Sequence, residues 1–237
     1  MDTCVQEQMD TEDKLRLLKE GEIGNLKRIA DASNASIFCT ISKDELACHA
    51  IYKPIAGERP LWDFPDGNLA SREYAAYLIS EAAGFKCVPP TVLRDGPFGF
   101  GALQYWVEEL DDWGDQYLQE LPGLRSIALF DVVINNTDRK IGHLLFKGNS
   151  IYACDHGVTF HQNYKLRTVL WQFANKELNE LELVQLENLL QNIPTEIDNL
   201  ITISEKNALI DRIESLLISR KFPLPPTDWP AVPWPPF

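Results

Sequence analysis

Two short stretches of this chain carry carboxylates at a spacing suited to moving a phosphoryl group. The first is Asn135-Asn136-Thr137-Asp138-Arg139-Lys140-Ile141-Gly142-His143, between the apolar runs Ile127 to Ile134 and Leu144 to Phe146. The second is Ile151-Tyr152-Ala153-Cys154-Asp155-His156-Gly157, in which an Asp closes another apolar run. Phosphoryl transfer depends on positioning and charge. One Asp orients the attacking hydroxyl, a donor a few residues on takes metal, and a later Asp before Gly holds metal against the nucleotide phosphates. Asp138 and Asp155 supply these carboxylates, seventeen residues apart. The donor position five residues after Asp138, normally an Asn, is His143. Magnesium prefers oxygen, so imidazole there favours manganese or an emptier metal site. A protonated His143 on a phosphate oxygen, or a structural His, are the other readings.

The same chemistry needs a cation on the phosphates and an anchor for that cation. Lys53 lies near the end of a strand-like run, Leu46 to Ile55, and Glu73 lies early in the next helical run. A strand lysine paired with a helix glutamate would aim an ammonium at phosphate. Each residue alone has a plainer reading. A strand lysine is usually a solvated edge charge, and a Glu in a first helical turn usually offsets the macrodipole. Asp-Arg at a loop start is usually a surface ion pair worth under ~1 kcal/mol. Four such residues in the right order and spacing favour phosphotransfer.

The elements that must position them follow from periodicity. Leu26–Ile29, Ala35–Ile41 and Leu46–Ile55 read as an antiparallel meander broken by turn-rich segments. Gly57 to Asn68 is a Pro- and Gly-rich loop, and Asn68 can cap a helix over Leu69–Ala83 that Gly84 ends. Cys87–Val92 and Phe100–Val107 read as two more strands, and Leu124–Ile134 as a buried helix. From Thr168 the pattern is helical, with apolar spacings of three and four over Leu178–Leu190 and Ile197–Ile218. The expected organisation is an acidic lead-in (1–24, with a short helix over Glu12–Glu20), a small lobe (25–108), a large lobe (109–221) and a Pro/Trp-rich tail (222–237).

Composition narrows the class. The chain has 237 residues, 45% apolar, and a net charge of −13. That balance argues against a nucleic-acid binder, which needs a basic footprint, and weakly against docking on an anionic membrane. Five cysteines without a CxxC pair, an acidic N-terminus and no apolar run near ~20 residues suggest a cytoplasmic protein with reduced thiols and no membrane span.

Asn136-Thr137-Asp138-Arg139 with Asp155-His156-Gly157 resembles the catalytic core of phosphatidylinositol 3-/4-kinases, the type II 4-kinases especially. More closely, the chain resembles a family of small bacterial proteins related to phosphatidylinositol kinases. The likeness rests on YKPIAGERPLWDFPDG (52–67), VPPTVLRDGPFGFG (88–101), ALFDVVINNTDRK (128–140) and DHGVTFH (155–161), and spans about residues 25–175. It implies an α+β, compact two-lobed protein-kinase-like fold, with a β-rich N-lobe and a mainly helical C-lobe. It implies ATP, with Mg or Mn, as cofactors. Lys53 would be the phosphate-binding lysine and Glu73 its helix partner. Asp138 would be the catalytic Asp, Asp155 the metal Asp, and His143 would stand at the second metal position. Ser33 and Asn34 fall in the loop over the phosphates, which here lacks Gly. Tyr105 and Val107 lie in the hinge at the adenine edge, with Ile51 and Leu145 on either side of the ring.

Three functions fit these residues: an ATP-dependent kinase acting on an unidentified hydroxyl acceptor (small molecule, lipid head group or protein), a nucleotide-binding pseudokinase, or an interaction protein that docks through its tail. Lys165 and Arg167 form the basic cluster near the expected acceptor side. Arg59, Trp62 and Phe64, in the loop before Asn68, lie near the expected phosphate site. The tail either binds a protein partner as a polyproline segment or folds back on its own chain.

Overall fold

The computed structural model describes residues 9–29, 36–108 and 119–237. Helix α1 (Thr11–Glu20) leads into a five-stranded antiparallel sheet of β1 (Glu22–Arg28), β2 (Ile37–Lys43), β3 (Leu46–Pro54), β4 (Thr91–Gly96) and β5 (Gly99–Tyr105), in the order β1-β2-β3-β5-β4. Helix α2 (Leu69–Ala82) is inserted between β3 and β4. The rest is mainly helical: α3 (Pro122–Ile134), the hairpin β6 (Leu144–Lys147) and β7 (Ser150–Ala153), α4 (Glu180–Gln191) and α5 (Ile203–Ser219). This is the expected α+β architecture, a small sheet lobe joined to a helical lobe.

Period-two alternation divides the sheet into two faces. Cys39, Ile41, Cys48, Ala50, Tyr52, Leu103 and Tyr105 are buried on one face, in a cluster closed by Leu17 and Leu18 of α1. Ile51 and Lys53 alternate onto the other face of β3. Helix α1 is capped by Asp10, which accepts from Asp13 N–H, and stops at Gly21. A Cβ at Gly21 would sit 2.5 Å from Ile41 Cγ2, so glycine is required where the helix turns into the sheet.

The second core couples the lobes. Ala75, Ala76 and Ile79 of α2 pack in one cluster with Leu124, Phe130 and Ile134 of α3, Leu186 of α4 and Ile213 of α5. Asn68 caps α2 as expected, accepting from Ser71 N–H at 2.7 Å. Glu58 adds a second cap, its two carboxylate oxygens accepting from the Leu69 and Ala70 N–H groups. The first turn of α2 is thus held by the preceding loop, which fixes the height at which Glu73 enters the cleft.

Several expected boundaries shift. β1 begins at Glu22 and absorbs Gly24 through a register irregularity between Gly24 and Lys27. β4 begins at Thr91, after the Pro89-Pro90 segment, and runs through Gly96. The stretch after Thr168 is a loop with one 3-10 turn (Trp171–Phe173) until α4, because its apolar residues fill the core from an irregular backbone. The acidic segment Glu108–Glu120, between the two lobes in sequence, falls mostly outside the described residues.

The tail returns to its own chain. Ala231 O accepts from Thr168 N–H (3.0 Å) and Trp171 Nε1 (2.8 Å), and Pro236 O accepts from Ile141 N–H (2.8 Å). No described helix is long and apolar enough to cross a membrane. The described cysteines are free thiols, and burial pushes Cys87 and Cys154 up to about 12.

Candidate active site

Three of the expected residues converge between the lobes. Lys53 Nζ on β3 bonds Glu73 Oε1 on α2 and lies 3.0 Å from Asp155 Oδ1 on the large lobe. Glu73 Oε2 in turn accepts from His156 N–H at 3.0 Å. One glutamate thus grips both the small-lobe lysine and the segment carrying Asp155. Burial works against the Lys53 charge, but Asp155 and Glu73 outweigh it and lift its pKa above that of free lysine. Lys53 holds the Asp155 carboxyl well below the usual carboxylate range, against burial. The Asp155 side chain is still 49% exposed, so its carboxylate faces the open cleft.

Backbone form sets this geometry. Asp155 has a left-handed conformation (φ 59), which Asp tolerates better than most residues. Gly157 follows where a Cβ would come within 3.1 Å of Leu69 Cβ and 3.7 Å of Glu73 Oε1. Glycine there lets α2 approach closely enough for Glu73 to reach both partners.

Asp138 lies in the loop after α3. Its N–H donates to Asn136 Oδ1 (2.9 Å), and its Oδ2 lies 3.3 Å from Lys140 Nζ. Burial raises its carboxyl pKa and Lys140 pulls it back. Asn135 ends α3 in a left-handed turn (φ 53), and its side chain donates to His161 O and Asn163 O and accepts from Lys165 N–H. The helix end thereby pins the segment after Gly157.

Arg139 departs from the surface ion pair expected of it. It is fully buried and forks onto Asp131 in the last turn of α3, with contacts of 2.9–3.2 Å. It also donates to Cys154 O and to His156 Nε2, each at 2.7 Å. Since guanidinium only donates, His156 Nε2 accepts and its proton sits on Nδ1. Burial and the adjacent Arg139 keep His156 neutral, well below its ordinary pKa. This network fixes the Asp138 loop against the Asp155 segment.

His143 lies beside Asp155 as the spacing suggests, with Nε2 3.3 Å from Oδ2. Its Nδ1 accepts from Lys140 N–H at 3.4 Å, so the proton sits on Nε2 and points at Asp155. Burial, against Asp155 and with nearby cations, lowers its pKa to about 4. The imidazole is neutral, but binding metal through Nε2 would require moving the proton to Nδ1 and giving up the Lys140 contact. Among the described residues no group of three or more His, Cys, Asp or Glu could hold a metal ion. Asp155 as a single open carboxylate fits an ion that takes its other ligands from nucleotide phosphates and water, as magnesium does.

The remaining expected residues are more scattered. Ser33 and Asn34 lie outside the described residues. Ile51 is half-buried on the Lys53 face of β3, and Leu145 is half-buried against the cluster that contains Tyr105 and Val107. The Tyr105 and Val107 side chains point into that cluster, on the face covered by α1, because the strand alternation continues into the hinge. Only their backbone is left for the cleft. Tyr105 N–H donates to Pro90 O and Trp106 N–H to His49 O, while Val107 N–H has no acceptor among the described residues.

Lys165 and Arg167 lie on the segment after His161; Lys165 pairs with Asp63 at 2.8 Å and sits over the Trp62 ring, which is 89% exposed. Phe64 packs edge-on against His161, as a wall of the loop.

Three residues went unrecognised in the sequence. Arg72, 2% exposed, precedes Glu73 and donates to Thr159 O (2.9 Å) and pairs with Glu205 (2.7 Å) on the large lobe. Asp131 is the lone charge within the apolar run Ala128 to Ile134, a signal that a buried cation must meet it. Lys140, two residues after Asp138, was legible only as part of a polar loop.

The fold defines a class. Solved structures similar to this one include the Golgi casein kinase with Mn/ADP bound (14% identity, 88% of this chain and 75% of that chain, TM-score 0.57). A hydra Fam20 with sugar matches at 13% identity over 90% and 89% (TM-score 0.55). The Helicobacter pylori proinflammatory kinase CtkA matches at 15% over 86% and 94% (TM-score 0.51). At such identities the likeness is one of fold, and the fold is kinase-like. No family model matches the chain. By sequence, the chain belongs to the family of Protein Rv2133c of Mycobacterium tuberculosis, 37% identical over 270 aligned positions that cover 95% of this chain and 96% of that protein.

Proposed function

We propose that this protein is an ATP-dependent phosphotransferase that moves the terminal phosphoryl group of ATP to a hydroxyl acceptor, with a site resembling that of phosphatidylinositol 3-/4-kinases. The observation that carries the reading is Lys53 Nζ set between Glu73 and Asp155 across the two lobes. Glu73 fixes the ammonium, and the ammonium neutralises phosphate charge. Asp138 accepts or orients the acceptor hydroxyl, whose oxygen bonds the phosphorus as the bond to ADP breaks; the raised carboxyl pKa suits proton acceptance. Lys140, beside Asp138, steadies the charge of the group in transit. A divalent ion, Mg or Mn, would when bound supply charge neutralisation between phosphate oxygens, and Asp155 is the carboxylate that would hold it. His143 then acts as a hydrogen-bond donor that orients Asp155. Val107 N–H meets the adenine edge, with Ile51, on the Lys53 face of β3, against the ring.

His143 also favours a second reading, a pseudokinase that binds nucleotide and transfers nothing. Its proton faces the one open carboxylate, where an active site would offer a second oxygen.

Thermal unfolding with ATP and either Mg or Mn tests both. Wild type should gain about 2.7 kcal/mol at ligand one hundred times its dissociation constant, and Lys53→Ala and Asp155→Ala should lose that gain. Binding without Asp138-dependent transfer to any acceptor leaves the pseudokinase. No stabilisation with either metal rejects both.

A further inference from the structure

A second cavity, of about 630 Å³, lies on the opposite side of the hinge from Lys53. Tyr105 and Val107 form its hinge wall, on the sheet face that α1 covers. Lys14 of α1, Lys86 after α2 and Lys147 at the tip of the β6–β7 hairpin all line it. Among the described residues lining it, Glu81 is the only carboxylate. None of the three lysines has a carboxylate within ion-pair distance among the described residues. That is unexpected in a chain of net charge −13, where carboxylates outnumber ammoniums and guanidiniums. Lys14 Nζ instead sits over the Tyr105 ring, 4.9 Å from its centroid. Burial and the repulsion of Lys147 lower the Lys14 pKa. Ammoniums gathered at a concave, part-buried surface, and repelling one another, are stabilised by an anion placed among them.

We propose that this cavity is a binding site for a small diphosphate-bearing molecule, free or nucleoside-linked, held by Lys14, Lys86 and Lys147 and distinct from the cleft at Lys53. Its volume lies in the range of small-molecule sites. Three tyrosines, Tyr77, Tyr105 and Tyr152, line the cavity beside the cations and supply flat apolar surface. Lys14 belongs to the small lobe, whereas Lys147 and Tyr152 belong to the hairpin of the large lobe. A ligand here touches both lobes behind the hinge, so it biases their relative position wherever its contacts differ between open and closed forms.

The test is calorimetric titration of the full chain with inorganic pyrophosphate. Lys14→Gln/Lys147→Gln should weaken binding at least tenfold, and Lys86→Gln, a substitution at an exposed residue that does not threaten folding, at least threefold. Lys19→Gln, on the same helix but away from the cavity, should stay within twofold of wild type, and Lys53→Met, in the cleft, should keep the part of the binding that Lys14→Gln/Lys147→Gln removes. The Lys53→Met arm separates this site from the proposed ATP site, so failure of one proposal is distinguishable from failure of the other. Repeating the Lys53→Met titration with ADP separates the two sources: tighter binding than pyrophosphate assigns a nucleoside-linked ligand, equal binding a free one. Pyrophosphate that fails to bind wild type at millimolar concentration overturns the proposal. So does binding that survives the loss of Lys14, Lys86 and Lys147, or that disappears with Lys53 alone.

Discussion

Glu73 accepts from both Lys53 Nζ and the His156 backbone N–H, one with each carboxylate oxygen. A single side chain, 3% exposed, thus ties the third strand of the small lobe to the loop bearing Asp155. Removing one partner of such a set leaves a buried charge without compensation. Lys53→Met should therefore lower unfolding stability by about 1–3 kcal/mol, less than for a fully buried pair because Asp155 is half exposed. Lys53→Met/Glu73→Gln should recover part of that loss. Urea unfolding of the two variants checks this, and a double variant no more stable than Lys53→Met would show that Glu73 is held by other groups.

Asp138→Asn keeps the side chain's shape and its loop hydrogen bonds but removes the proton acceptor. If the protein transfers phosphate, turnover should fall about 10²- to 10⁴-fold. Nucleotide binding measured by thermal shift should be unchanged, because Lys53 and Asp155 are intact. Lost binding would assign Asp138 to the nucleotide instead.

His143→Asn replaces a proton donor aimed at Asp155 with a side chain that also offers oxygen. Magnesium-dependent ATP binding should tighten severalfold relative to manganese, since magnesium favours oxygen ligands. An unchanged metal preference would place His143 outside the metal's reach.

Acid should destabilise the fold through its buried imidazoles. His156 stays neutral in the folded protein and His143 protonates only near about 4, whereas both take a proton at about 6.5 once unfolded. Below about pH 6.5 the unfolded chain binds more protons, so stability falls as pH falls, by up to about 1.4 kcal/mol per unit for each histidine. Asp155, with its lowered pKa, adds loss only below about pH 4, whereas Asp138 and the buried Glu73, with raised pKa values, act in the opposite sense above that, so the histidine slope is read against the Glu73 contribution. Unfolding free energy between about pH 7 and pH 5.5 reports the histidines with that offset. His156→Gln, which retains an acceptor for Arg139, should flatten the histidine slope by about half. An unaltered slope would contradict a buried neutral His156.

Arg139→Lys should cost about 3–5 kcal/mol despite conserving charge. An ammonium cannot fork onto Asp131 while also meeting Cys154 O and His156 Nε2. Asp131→Asn should be comparably damaging. Chemical unfolding decides it, and a loss under about 1 kcal/mol would mean that the surrounding core relaxes around the change.

The sequence by itself determined the order of the chemistry-bearing residues, the helices announced by Asn68 and by the apolar run before Asn135, and the strand-like runs of the small lobe. Those features are local: caps, periodicity and turn residues act within a few positions of one another. It also marked Lys53, Glu73 and Asp155 as residues suited to meet. Only the tertiary structure decided that they do, because Lys53 and Asp155 are 102 residues apart and their contact depends on how α2 seats between the lobes. Packing likewise turned Tyr105 and Val107 away from the cleft, since strand alternation binds them to the α1 face. It buried Arg139 against Asp131, gave His143 the tautomer that points a proton at Asp155, and gathered Lys14, Lys86 and Lys147 from three elements around one cavity. Long-range contacts of this kind leave no periodic trace in the chain, because each is fixed by the summed burial of elements far apart in sequence.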